Sequence, residues 1–185
     1  MRFVATEIPG CAMVEIEPHQ DERGFFARTW CRNEFAGAGF SSQLVQCSVS
    51  RNRKRGTLRG MHFQLPPSCE GKLVRCTRGA IVDVVVDLRS TSPCYLDHVS
   101  VELTADNGRA VFIPPGCAHG FQTLEDNSDV FYQMTDVFAP ELAAGLRWND
   151  PALAIDWPVD SPIMNQRDRN YPDLDRDWLG GLSWD

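Results

Sequence analysis

Short β-rich runs, cut at close intervals by glycine, proline and asparagine, fill most of this chain, and that rhythm constrains its fold more than any other feature. Runs at 44–50, 72–78, 80–89, 98–103, 110–114 and 130–138 read as strands. Several alternate apolar and polar residues, as a strand with one buried face requires. Gly79, Gly108 and Pro114-Pro115-Gly116 mark turns between them. Helical signals are few: 31–37 is long enough for one short helix. Many short strands at regular spacing predict an all-β sandwich or jelly roll. The segment 149–185, rich in proline, aspartate and tryptophan, is expected to wrap that barrel as loops and short helices. No linker, repeat or low-complexity stretch divides the chain, so residues 1–185 are read as one domain.

The 185 residues suffice for a sizeable core, and 43% of them are hydrophobic. A net charge of -7 argues against a general nucleic-acid or membrane-surface binder. An anionic ligand would then need a local cluster of arginine and lysine. The opening MRFVATEIPG carries an acid and a proline where a signal peptide runs apolar. No apolar run reaches membrane-spanning length, and the expectation is a cytoplasmic protein. The seven cysteines are scattered and lack zinc-ribbon spacing, so they read as free, mostly buried thiols in a reducing compartment.

Two segments hold residues capable of chemistry. In 56–89, Arg59, His62 and Lys72 lie close to strands, while Asp83 sits inside the apolar run 80–89. Arg59 and Lys72 can be solvated charges, and His62 a satisfied core histidine. Asp83 is harder to dismiss, because a buried carboxylate needs a partner, either Lys72 or a histidine. In 108–121, Gly108, Pro114, Gly116 and His119 fit the second cupin motif, G-x5-P-x-G-x2-H, which aims the histidine into a barrel. Thr123 replaces that motif's final asparagine. The first cupin motif survives in part: Gly56 and His62 fit, but Gln64 holds the second histidine position and Glu70 lies one residue beyond the usual spacing. A metal site wants three or more converging ligands, and only His62 and His119 qualify, so no metal is expected. A histidine freed from metal can serve as a general base. Tyr132 is either a packed strand aromatic or the matching acid.

The segments DERGFFAR (21–28), VQCSVSR (45–51), LRGMHFQ (58–64), GKLVR (71–75), IPPGCAHGF (113–121) and DPALAIDWP (150–158) together resemble the dTDP-4-dehydrorhamnose 3,5-epimerase family, in its order and spacing. The resemblance implies a cupin jelly-roll barrel (a double-stranded β-helix) with short peripheral helices. It implies an isomerase acting on a nucleotide-diphosphate 4-keto sugar, with no cofactor, paired as a homodimer through its N-terminal strands. Residue by residue, it implies His62 as the general base, Asp168 as its carboxylate partner, Lys72 at the keto oxygen and Tyr132 as the proton donor on the opposite sugar face. Arg23 and Arg59 match diphosphate-binding groups, His119 lines the same pocket, and Gln46 and Phe26 match nucleotide-side contacts.

The chain also departs from the family pattern. Arg28 stands where R-G-F-F-x-E has its acid, Ser48 where Q-x-N has its asparagine, Ala143 where a glutamate is usual, and Arg167 where S-E-K-D has its lysine. The first three lead to an expectation that the handle is GDP, CDP or UDP rather than dTDP. Phe138 replaces a second tyrosine near the sugar, and its missing hydroxyl would restrict the enzyme to one carbon. A non-catalytic sugar-binding cupin is the competing reading. Such a binder should have lost some of His62, Lys72, Tyr132 and Asp168, and all four are present.

Overall fold

The computed structural model describes residues 1–184. Thirteen strands are β1 (Arg2–Ala5), β2 (Ala12–Glu15), β3 (His19–Asp21), β4 (Gly24–Phe26), β5 (Gln46–Asn52), β6 (Leu58–Gln64), β7 (Lys72–Arg78), β8 (Ala80–Asp87), β9 (His98–Thr104), β10 (Ala110–Ile113), β11 (Cys117–Thr123), β12 (Ser128–Met134) and β13 (Ala143–Gly145). Short helices are α1 (Arg32–Gly37), α2 (Gln166–Arg169) and α3 (Arg176–Gly180). One six-stranded sheet runs β1-β2-β10-β7-β12-β5, and a five-stranded sheet runs β13-β6-β11-β8-β9. The jelly roll is therefore present, and all six strand readings fall on observed strands. The run 130–138 ends earlier than expected, at Met134.

Period-two alternation sorts the side chains into three layers. Between the sheets, Val74 and Cys76 of β7, Val111 and Ile113 of β10 and Val130 of β12 meet Ile81 and Val85 of β8 and Phe121 of β11. On the outer face of the five-stranded sheet, Leu58, Met61, Phe63, Val84 and Val86 are covered by Leu146, Leu153, Trp157 and Leu179 of the C-terminal segment. On the outer face of the six-stranded sheet, Leu73 and Phe112 are covered by Phe35 of α1. Strand β8 is thus buried on both faces, which is why its sequence is an almost unbroken apolar run. Burying a large apolar side chain contributes about 1.5–3 kcal/mol, so the two covering segments are structural rather than decorative.

Candidate active site

The space between the sheets is filled by core side chains at one end and opens at the other into a cavity of about 360 Å³. Both sheets supply its walls. Gln46, Ser48 and Ser50 of β5, Lys72 of β7 and Tyr132 of β12 come from the six-stranded sheet. Arg59 and His62 of β6, His119 of β11 and Ala143 of β13 come from the five-stranded sheet.

Arg59 and His62 are three residues apart, and in a regular strand they would point to opposite faces. They share the cavity because the β6–β11 register slips. Arg59 faces Phe121 and His62 faces His119, so β6 spends one residue more than β11 between these pairs. That bulge falls at Gly60 (φ 138), where a Cβ would sit 2.4 Å from the Gly120 Cα. Bulges of this kind re-aim side chains beside functional sites.

His62 Nε2 lies 2.9 Å from Asp168 Oδ1. Asp168 is buried at the start of α2, where the Asn165 side chain caps the helix by accepting from the Asp168 N–H at 2.7 Å. The Gly60 N–H donates to Oδ2 at 3.2 Å, and Arg167 Nε donates to Oδ1 at 3.1 Å. Burial pushes the Asp168 carboxyl up, but these hydrogen bonds and the facing imidazole outweigh it and hold the group at about 2. An ionised carboxylate selects the tautomer with the proton on Nε2. His62 Nδ1 then carries the free lone pair, with no partner among the described residues. Burial lowers the His62 pKa, Asp168 pulls it back up, and the sum stays below the ordinary value. The resting imidazole is therefore neutral.

A second histidine–carboxylate pair stands beside the first. His119 Nδ1 is 3.2 Å from Asp83 Oδ2, and Asp83 is fully buried on the inner face of β8. The partner that Asp83 requires is thus His119. Burial drives its carboxyl pKa upward, against the pull of His119 and Lys72. The Tyr132 ring packs edge-on to His119 at 6.0 Å. Its pKa is raised by burial and by the Asp83 charge, so the phenol keeps its proton. The Lys72 ammonium pairs with the buried carboxylate of Glu70.

Nine of the eleven residues named from the sequence meet here, counting Asp168 behind His62. Arg23 and Phe26 do not. They sit on the β3–β4 hairpin, which forms its own two-stranded sheet, with the Phe26 side chain 77% exposed. Within one chain they lie apart from the cavity. Arg28 is also outside the cavity and pairs with Glu34 at 2.7 Å. Gln64, at the second cupin histidine position, accepts from the Ala139 N–H and reaches Ser68 with its amide nitrogen. Among the described residues no three His, Cys, Asp or Glu side chains converge to hold a metal ion.

Two further wall residues stand next to the paired groups. Glu70, in the loop just before β7, lies beside the Lys72 ammonium that it pairs with. Tyr171 packs edge-on to His62 at 6.2 Å. It lies just beyond the end of α2, two residues after Arg169, and no periodicity marks it.

The sequence profile of the dTDP-4-dehydrorhamnose 3,5-epimerase family matches residues 5–176. The dTDP-4-dehydrorhamnose 3,5-epimerase of Methanothermobacter thermautotrophicus is 43% identical over 94% of this chain and 94% of its own length. A crystal structure of the Bacillus anthracis dTDP-4-dehydrorhamnose 3,5-epimerase with TDP and PPi bound superposes with a TM-score of 0.91 at 38% identity, covering 94% of this chain and 99% of that one. ChmJ, a 3'-monoepimerase from Streptomyces bikiniensis in complex with dTDP-quinovose, superposes with a TM-score of 0.89 at 32% identity, covering 97% and 91%.

Proposed function

We propose a mechanism for a chain that belongs to the dTDP-4-dehydrorhamnose 3,5-epimerase family: it inverts C3, C5 or both of a dTDP-linked 4-keto-6-deoxy sugar by proton transfer. As a member of that family it is an isomerase. The 4-keto group acidifies the hydrogens on C3 and C5. Neutral His62 takes one of them, and Asp168 stabilises the imidazolium that forms. The electron pair moves onto the C4 oxygen, where the Lys72 ammonium stabilises the enolate. Tyr132 returns a proton to the same carbon from the other face, and the centre is inverted. Bulk solvent resets the two groups. The observation that best supports this reading is the His62–Asp168 pair at 2.9 Å sharing one cavity with Lys72 and Tyr132.

The handle follows from the relatives and from where the departures fall. Arg28 is engaged by Glu34 away from the cavity, and Ser48 and Ala143 are exposed on its wall. Little therefore stands against dTDP, and a GDP, CDP or UDP handle is the outcome to exclude. Phe138 lines the cavity and carries no hydroxyl, which favours a single inverted centre as the second reading.

A second copy of the chain completes the site in this proposal. The exposed hairpin with Arg23 and Phe26 would reach across to the partner's cavity, which accounts for two aromatic side chains left in water (Phe25 60% and Phe26 77% exposed). Mixing His62→Ala and Arg23→Ala chains, each inactive alone, should then restore turnover, whereas no complementation would rule out a shared site.

The deciding experiment is exchange in D2O with chelator present. A dTDP-linked 4-keto-6-deoxy sugar should gain deuterium at C3, C5 or both by NMR. Binding without exchange would leave a sugar-binding cupin, and exchange only with another nucleotide would move the handle. Turnover restored only by added zinc, iron or nickel would overturn the metal-free mechanism.

A further inference from the structure

Three cations line the cavity, and they are not equivalent. Lys72 is paired with Glu70, and Arg167 is paired with Asp168. Arg59 has no carboxylate within ion-pair distance among the described residues; its guanidinium Nε donates instead to Asn52 Oδ1 at 2.8 Å. In a chain of net charge -7, that is the wall cation whose charge is left uncancelled.

Asn52 lies at the end of β5 and is 2% exposed. Its Nδ2 donates to the Ser50 carbonyl at 3.1 Å and to the Ser128 carbonyl at 3.2 Å. Those bonds decide the amide orientation. Flipped, the amide oxygen would face two carbonyl oxygens and the NH2 would face the Arg59 Nε–H. The side chain is therefore locked with its oxygen aimed at Arg59. Nε is one of five guanidinium donors, so holding it leaves the four N–H groups of the two terminal nitrogens available. Paired terminal donors are the geometry that grips phosphate oxygens bidentately.

We propose that Asn52 is a positioning residue for the substrate diphosphate: it fixes the Arg59 fork without cancelling its charge, which an aspartate at the same place would do. The proposal rests on the reading of Arg59 as a diphosphate ligand. Asn52 touches neither the sugar nor the reacting carbons, so its effect belongs in KM and not in kcat.

The test measures binding of dTDP, inorganic pyrophosphate and thymidine by calorimetry, with steady-state kinetics alongside, in Asn52→Asp, Asn52→Ser and Arg59→Met. Asn52→Asp should weaken dTDP and pyrophosphate by about ten- to a hundredfold, the range of a charge-assisted contact. Thymidine affinity should stay unchanged, and kcat should stay near wild type. Asn52→Ser, which keeps an oxygen acceptor and adds no charge, should lose less and keeps the test open if the aspartate variant folds poorly. In the Arg59→Met background, Asn52→Asp should cost nothing further, because both act on one contact. If Arg59→Met itself left dTDP binding intact, the diphosphate reading would fall and take the proposal with it. If Arg59→Met weakened binding but Asn52→Asp did not, or lost thymidine equally, the proposal alone would be overturned.

Discussion

The base proposed at His62 works only while its imidazole is neutral, and its surroundings compete over that state. Burial lowers its pKa and Asp168 raises it, with burial ahead. The acid limb of kcat/KM should therefore lie below the ordinary histidine value, with activity lost as pH falls through the depressed pKa. His62→Ala should lower exchange by about 10²–10⁴. Asp168→Asn should cost less and move the acid limb lower still, since the group that raises the His62 pKa is gone. An unmoved limb in Asp168→Asn would break the assignment. The carboxylate also stabilises the fold. With its pKa lowered to about 2, that contribution is present above the usual carboxylate range and is lost only as pH falls through about 2. At this scale much of the site is legible in the sequence. Lys72 and Tyr132 lie in β-rich runs, His62 and His119 fall at cupin-motif positions, and Asp83 betrays itself as an acid among apolar residues. What hides is pairing across the fold: Asp168 is over a hundred residues from His62, and only family resemblance links them.

At the scale of elements, legibility follows alternation. Strands β7, β8, β9, β10 and β12 announce themselves by apolar periodicity or by a continuous apolar run. Strand β11, CAHGFQT, is buried at every position and mixes polar with small residues, so nothing periodic marks it. Strands β1 to β4 hold three or four residues each, too few for a pattern. The β6 bulge is hidden for a deeper reason: R-G-M-H in a regular strand would send Arg59 and His62 to opposite faces, and only the register slip unites them. Gly60 makes the slip possible. Gly60→Ala should cost roughly 1–3 kcal/mol in backbone strain, before the clash with Gly120 is counted. Thermal unfolding should show the loss, and exchange should fall because Arg59 and His62 no longer face one cavity. A variant with wild-type melting and turnover would mean that the bulge is dispensable.

For the whole molecule, the expected jelly roll and its C-terminal wrapping are both present, because the polar and aromatic composition of 149–185 already sets it apart from strand. The N-terminal covering of the other face is less legible. Phe35 packs there from a helix of six residues, shorter than a periodic signal needs. The proposed acid and base are mounted on different sheets. His62 belongs to one sheet and Tyr132 to the other, and packed sheets stand about 10 Å apart. The intersheet gap is thus a caliper whose jaws carry the two groups proposed to transfer protons, and the sugar ring would have to fit between them. In the proposed mechanism, inversion, rather than exchange with retention on one face, would then follow from the sandwich itself. The caliper can be mis-set from a distance. Ile81→Phe, in the core between the sheets and opposite Thr123 rather than a cavity residue, should pry the jaws apart, since a misplacement near 1 Å can cost about 10² in rate. Deuterium uptake would slow, while melting would fall by the modest amount expected of an overfilled core. Uptake at the wild-type rate would show that the gap tolerates play.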